Sequence, residues 1–161
     1  MSGKLNFGRD FFYIMRELMW RGKKPDQTAS QDNSLIVPEA SIRLFLIQWG
    51  FSVDEIDEAN AMFWKQYESD SLEDLPIVIE RVVDHLSNDI EAKERLLVQM
   101  AAIGLLDFDV TEDEASFVQG FQDLLDFRPS EFTKLASKGN DLAIALNYFG
   151  NEYVKAKSKS P

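Results

Sequence analysis

Apolar residues recur along this chain at helical spacing, and the two-residue alternation of a strand is not convincing anywhere. One apolar stripe follows the i, i+3, i+4, i+7 pattern of a helix face: Ile42, Phe45, Leu46 and Trp49. The run at 94–106, ERLLVQMAAIGLL, is apolar on nearly every face and contains small residues. Such a run is typical of a central helix that its neighbours approach closely. The pattern therefore predicts an all-α protein.

Capping and turn residues divide the chain into about seven or eight helices in one domain. An S-x-x-E sequence at 52–55 and a T-x-x-E sequence at 111–114 predict capping boxes, in which the first and last side chains bond the helix's free N–H groups. Pro38 suits a first-turn position and Gly139 suits a C-terminal stop. The predicted helices span 8–21, 38–49, 53–68, 74–87, 89–106, 112–125, 129–138 and 141–156.

The chain also contains two similar segments. At an offset of 75 residues Asp32 aligns with Asp107, and the sequence EAS at 39–41 aligns with EAS at 114–116. The spacing of seven from an Asp to a Glu therefore occurs twice. After one inserted residue, FSVDEI following the first segment aligns with FRPSEF following the second.

This repetition indicates a duplicated helical unit. We expect unit one at about 8–70, unit two at about 89–156 and a basic tail at 157–161, within a single domain of residues 1–161. A repeat that occurs only twice suggests two units packed about a pseudo-two-fold axis instead of an extended solenoid.

Each segment has an apolar helix followed by an Asp, with an apolar residue three positions after the Asp and a Glu seven positions after it. This pattern resembles the D-G-x-I-x-x-x-E signature of the TerB-like tellurite-resistance family. The family glycine is replaced by Asn33 in unit one and by Phe108 in unit two. The resemblance covers about 11–153. It implies an all-helical fold of two similar halves whose acidic turns face each other. It also implies a non-enzymatic role in resistance to tellurite and other stresses, with partners from the same system, membrane-bound and calcium-binding proteins among them.

The acidic turns supply the candidate metal ligands, which are Asp32, Glu39, Asp107 and Glu114, with Asp26 and Asp109 as substitutes. Four converging carboxylates repel one another unless protons, a basic side chain or a cation neutralises them. Ca²⁺, Mg²⁺ and Mn²⁺ accept ligand sets made only of oxygen, so one hypothesis is a bound divalent cation. The other hypothesis is hydrogen bonding to an Arg or to helix N-termini without an ion.

An EF-hand calcium loop does not fit the second turn. Counted from Asp107, Glu112 stands where the loop requires Gly, and Val118 stands where it requires a bidentate Glu. Helix capping explains Glu114 locally, but it gives Asp107 no role.

Composition excludes several classes of function. Cysteine is absent and His85 is the single histidine, which removes thiolate sites and multi-histidine zinc sites. The formal net charge of −11 disfavours nucleic-acid binding, which needs a basic surface. No signal peptide and no apolar run of membrane-spanning length is evident. We expect a cytoplasmic protein that reaches the inner membrane only through a partner.

The negative charge is concentrated in one segment. Residues 54–91 contain twelve acidic residues against two basic ones, a balance of −10. Trp64 and Tyr67 within this segment are candidate anchors for a basic partner, although burial is the competing expectation for Phe63 and Trp64. A helical interaction module without an ion is therefore the alternative function. A carboxylate-based hydrolase is a further, less favoured one.

Overall fold

The computed structural model describes residues 2–20, 33–106 and 111–158 of the chain. Seven α-helices lie within these ranges, and no strand occurs in them. The helices are α1 (Ser2–Met19), α2 (Asn33–Gln48), α3 (Val53–Glu68), α4 (Leu75–His85), α5 (Ile90–Leu105), α6 (Glu112–Leu124) and α7 (Pro129–Ser158). The all-α class that the apolar periodicity predicts is confirmed.

Helices α1 and α5 lie at the centre of the fold. Helix α1 packs most extensively against α3 and also touches α4 and α5, while α5 packs most extensively against α7. Both central helices bury apolar residues on more than one face, which neighbours on several sides require. In α1 the fully buried side chains are Phe11, Phe12, Ile14, Met15 and Leu18, and in α5 they include Leu96, Leu97 and Met100.

Both predicted capping boxes are present. The Ser52 side chain accepts a hydrogen bond from the backbone N–H of Glu55 at the start of α3, and the Glu55 carboxylate accepts one from the Ser52 N–H. Thr111 and Glu114 make the same reciprocal pair at the start of α6. A cap of this kind stabilises a helix by roughly 0.5–2 kcal/mol. These two boundaries are therefore determined by local sequence.

Three predicted boundaries are wrong. Helix α1 begins at Ser2 rather than 8, and α2 begins at Asn33, so Pro38 lies inside the helix instead of in its first turn. Helix α7 continues through Gly139, where the sequence predicts a stop. The reason lies in packing, since a Cβ on Gly139 would be 2.5 Å from the Ala101 Cβ and 2.9 Å from the Val98 carbonyl oxygen. Gly139 therefore lets α7 approach α5 closely and does not end a helix.

Similar turns follow α2 and α6. Gly50 has a φ of +91° and Asp126 a φ of +62°, and in each case the next residue is Phe. The Phe51 N–H donates to the Leu46 carbonyl at 3.0 Å, and the Phe127 N–H donates to the Gln122 carbonyl at 2.9 Å. Asp70 at the end of α3 also has a left-handed backbone conformation. The same kind of C-cap therefore ends three helices of the fold.

Helix α7 is the longest helix, with 30 residues. Its inner face places Leu135, Gly139 and Ala143 in the core, while Lys138 and Asp141 are exposed. Across the part of the chain that the structure describes, no helix combines the length and the apolar character needed to cross a bilayer.

The close approach of α7 to α5 predicts opposite effects for two glycine substitutions. We expect Gly139→Ala to lower the free energy of unfolding by roughly 1–3 kcal/mol, because the added methyl overpacks the interface. Gly120→Ala on the exposed face of α6 meets nothing within 4 Å, so we expect it to be neutral or to stabilise by up to about 1 kcal/mol. Urea unfolding of both variants measures this, and equal effects would show that α7 does not pack as described.

Candidate functional site: an arginine–glutamate pair in an aromatic cage

Glu39 on α2 is held by Arg16 of α1. The Arg16 Nε donates to Glu39 Oε1 at 3.0 Å, and Nη2 donates to Oε2 at 2.9 Å. The same Nη2 donates to the Asn60 Oδ1 on α3 at 2.7 Å. Only 3% of the Arg16 surface is exposed. One buried guanidinium therefore joins three helices, and both oxygens of the Glu39 carboxylate are occupied by it.

Aromatic rings surround the same guanidinium. Its central carbon lies 4.5 Å from the Phe12 ring centroid, 4.9 Å from that of Phe63 and 4.7 Å from that of Trp64. Removing a cation from water is costly unless a counter-ion and favourable contacts compensate. Glu39 supplies the counter-charge, and the ring faces supply cation–π attraction, which strengthens when the cation is desolvated. We call Arg16, Glu39 and these three rings the arginine cage.

Trp64 belongs to the arginine cage, and Tyr67 lies next to it on α3. Both side chains are half-buried, and the Trp20 ring contacts them at centroid distances of 5.8 Å and 5.9 Å. Phe63 is buried, with 1% of its surface exposed. The two residues thus pack partly into the core, and their role as anchors for a partner stays a prediction.

Two donors in this region have no acceptor within the described ranges. They are Arg16 Nη1 and the Trp20 indole N–H, both on buried side chains. An unsatisfied buried donor costs roughly 1–3 kcal/mol. The C-terminal end of α1 is therefore the part of the described core whose polar groups are least satisfied.

Glu114 has a different environment from Glu39. It is buried at the start of α6, where its carboxylate caps the helix by accepting from the Thr111 N–H at 3.2 Å. It also lines a pocket of about 200 Å³ between α5, α6 and α7, whose other walls are mainly small or apolar side chains such as Ala101 and Val118. Capping is thus the role of Glu114 that the described contacts support.

Two of the four predicted metal ligands lie outside the residues that the structure describes. Asp32 and Asp107, together with the substitutes Asp26 and Asp109, lie outside the described residues. Among the residues that are described, no group of three or more His, Asp or Glu side chains has the arrangement of a metal site. The metal site of the four carboxylates therefore stays a prediction.

A second charge pair, in which the acid is buried and the arginine half-buried, joins α1 to α4. Asp10, only 2% exposed, accepts from Arg81 Nε at 2.7 Å and from Arg81 Nη2 at 2.9 Å. Arg81 Nη1 donates to a Glu73 carboxylate oxygen at 2.8 Å, and this hydrogen bond lowers the pKa of Glu73. Sequence reasoning did not identify either pair. The only sequence signal for such a pair is a charged residue on an apolar helix face, such as Arg16 four residues after Phe12.

No protein-family model matches this chain, and neither a curated protein nor a solved structure matches it. The TerB-like assignment therefore rests on the resemblance in sequence alone.

The arginine cage predicts a large effect of removing Glu39. Glu39→Ala leaves the Arg16 cation buried without its counter-charge, so we expect a loss of roughly 3–5 kcal/mol in the free energy of unfolding. Glu58→Ala, an exposed acid on α3, serves as the matched control with an expected change within about 0.5 kcal/mol. Denaturant unfolding compares the two, and similar losses in both variants would contradict the pairing of Glu39 with the buried Arg16.

Proposed function

We propose that this protein is a non-enzymatic interaction protein of a stress response, of the kind that the TerB-like resemblance implies. It acts by binding other proteins of that system, and a membrane-bound partner brings it to the inner membrane. The proposal is supported by the contacts of the two predicted metal ligands that the structure describes. Glu39 bonds Arg16 and Glu114 caps its own helix, so both have structural roles.

The observation that carries the proposal is the concentration of exposed acidic residues in 54–91, on α3, on α4 and beside their ends, and we call these residues the acidic face. Ten of the twelve acidic side chains in this segment are exposed. The other two, Glu55 and Glu73, are ion-paired with Lys4 and Arg81. A surface with one predominant sign of charge accelerates encounter with an oppositely charged partner and disfavours a like-charged one. The acidic face therefore suits a basic protein.

We also infer that the chain is an internal duplication of one three-helix unit. The similar turns after α2 and α6, each followed by Phe, support this inference. So does the order of packing, since α1 packs on α3 in the first unit and α5 packs on α7 in the second. The resemblance implies that the acidic turns of the two units face each other.

Affinity capture from the native cell, with and without tellurite stress, tests the proposed function. Two triple variants remove the same charge from exposed positions: Glu58→Gln, Glu80→Gln and Asp84→Asn within the acidic face, and Asp123→Asn, Asp126→Asn and Asp141→Asn outside it. We expect wild type to capture a basic protein whose recovery rises under stress and falls with added salt. The first variant should lose most of that recovery, and the second should keep it.

Two outcomes would contradict the proposal. One is that no protein is recovered above background under stress. The other is that both triple variants lose recovery equally, because the interaction would then follow total charge and not the acidic face.

A further inference from the structure

Helix α2 has an apolar outer face. Ile36, Ala40, Leu44 and Ile47 follow one another at i, i+4, i+8 and i+11, which places them in one stripe along the helix. Leu44 is 44% exposed and Ile47 is 49% exposed. The inner face of the same helix buries Ile42, Phe45 and Leu46. Helix α2 is thus apolar on two sides, although a surface helix normally presents a polar face to water.

A groove runs beside this stripe, between α2 and α7. Its volume is about 190 Å³, and its lining is almost entirely apolar: Ile36, Val37, Ala40, Ser41, Leu44, Leu146 and Gly150. The two helices meet closely below it, since a Cβ on Gly150 would lie 2.6 Å from a Val37 methyl carbon. The close approach of α2 and α7 at Gly150 and Val37 thus forms the floor of the groove. We call the stripe and the groove together the α2–α7 groove.

Arg43 lies between the apolar stripe and α3, and on this border the exposed α3 residues include acidic ones. Arg43 on α2 is ion-paired with Asp57 of α3, so these two charges compensate each other. Asp54 and Glu58 on the same helix are exposed and leave this part of α3 with a net negative charge. A second copy of a chain with net charge −11 meets electrostatic repulsion at this border. An apolar segment that carries positive charge meets attraction instead.

We propose that the α2–α7 groove docks an amphipathic, cationic helix of a partner protein. Apolar side chains of that helix at i, i+3, i+4 and i+7 fill the groove and cover Leu44 and Ile47, as in other helix-in-groove complexes. Its Lys or Arg side chains reach the exposed carboxylates of α3. The inference rests on the proposed function, because it assigns the basic partner a place on the molecule.

A labelled model peptide tests the groove without knowledge of the partner. The probe is a Leu/Lys helix about four turns long with one Leu stripe, and its binding to the full chain is followed by fluorescence anisotropy. Leu44→Gln/Ile47→Gln is the test variant, and Ile77→Gln/Ile90→Gln, with 51% and 68% exposure, is the matched control. All four residues are exposed, so both variants should retain the fold, which thermal unfolding checks.

We expect the test variant to weaken binding of the Leu/Lys peptide by about tenfold or more, since it removes the central apolar contacts. The control variant should change it by less than about twofold. A Leu/Glu peptide with the same stripe should bind at least about tenfold more weakly than the Leu/Lys peptide. Unchanged binding to the test variant would overturn the proposal that the groove is the docking site. Equal binding of the two peptides would overturn the proposal that its occupant is cationic.

Capture of the cellular partner separates this inference from the proposed function. A partner that wild type and Leu44→Gln/Ile47→Gln recover equally would overturn the groove and leave the proposed function intact. Loss of the partner from the test variant alone supports both. If wild type recovers no partner, the proposed function fails. The peptide experiment then decides by itself whether the groove docks a cationic helix.

Discussion

The fold depends on one buried cation. Arg16 has almost no contact with solvent, and its charge is tolerated because Glu39 accepts two of its hydrogen bonds and three aromatic rings face its guanidinium. Breaking such a pair on one side leaves an uncompensated charge, which is far more costly than an ordinary core substitution. Because the pair also reaches Asn60, it fixes the positions of α1, α2 and α3 relative to one another.

The surface of the molecule follows from the same constraint. Helix α2 buries Ile42, Phe45 and Leu46 on the side that packs into the core, so its other side is turned outward with Leu44 and Ile47 on it. Arg43 on the same helix reaches Asp57, which places the apolar stripe beside the acidic residues of α3. A change that loosens the arginine cage therefore affects both the stability of the core and the geometry of the α2–α7 groove. The interior and the proposed docking surface are linked through the orientation of one helix.

Features with a local cause were predictable from the sequence. The helical class and the capping boxes at 52–55 and 111–114 follow from short-range spacing, and the structure has both. The helix stop predicted at Gly139 is absent because the small size of this residue serves packing against α5, which no local pattern reports. The Arg16–Glu39 and Asp10–Arg81 pairs join residues far apart in sequence. Their only local trace is a charged residue on an apolar face of α1, which does not identify the partner.

The central claim is that Arg16 is the counter-ion of Glu39. A crystal structure from Mn²⁺-containing solution, with anomalous difference density recorded near the manganese edge, tests it most directly. The account predicts the Arg16 guanidinium within hydrogen-bond distance of both Glu39 oxygens and no anomalous peak in contact with that carboxylate. An anomalous peak coordinated by Glu39, with Arg16 displaced from it, would contradict the account and support the four-carboxylate metal site instead.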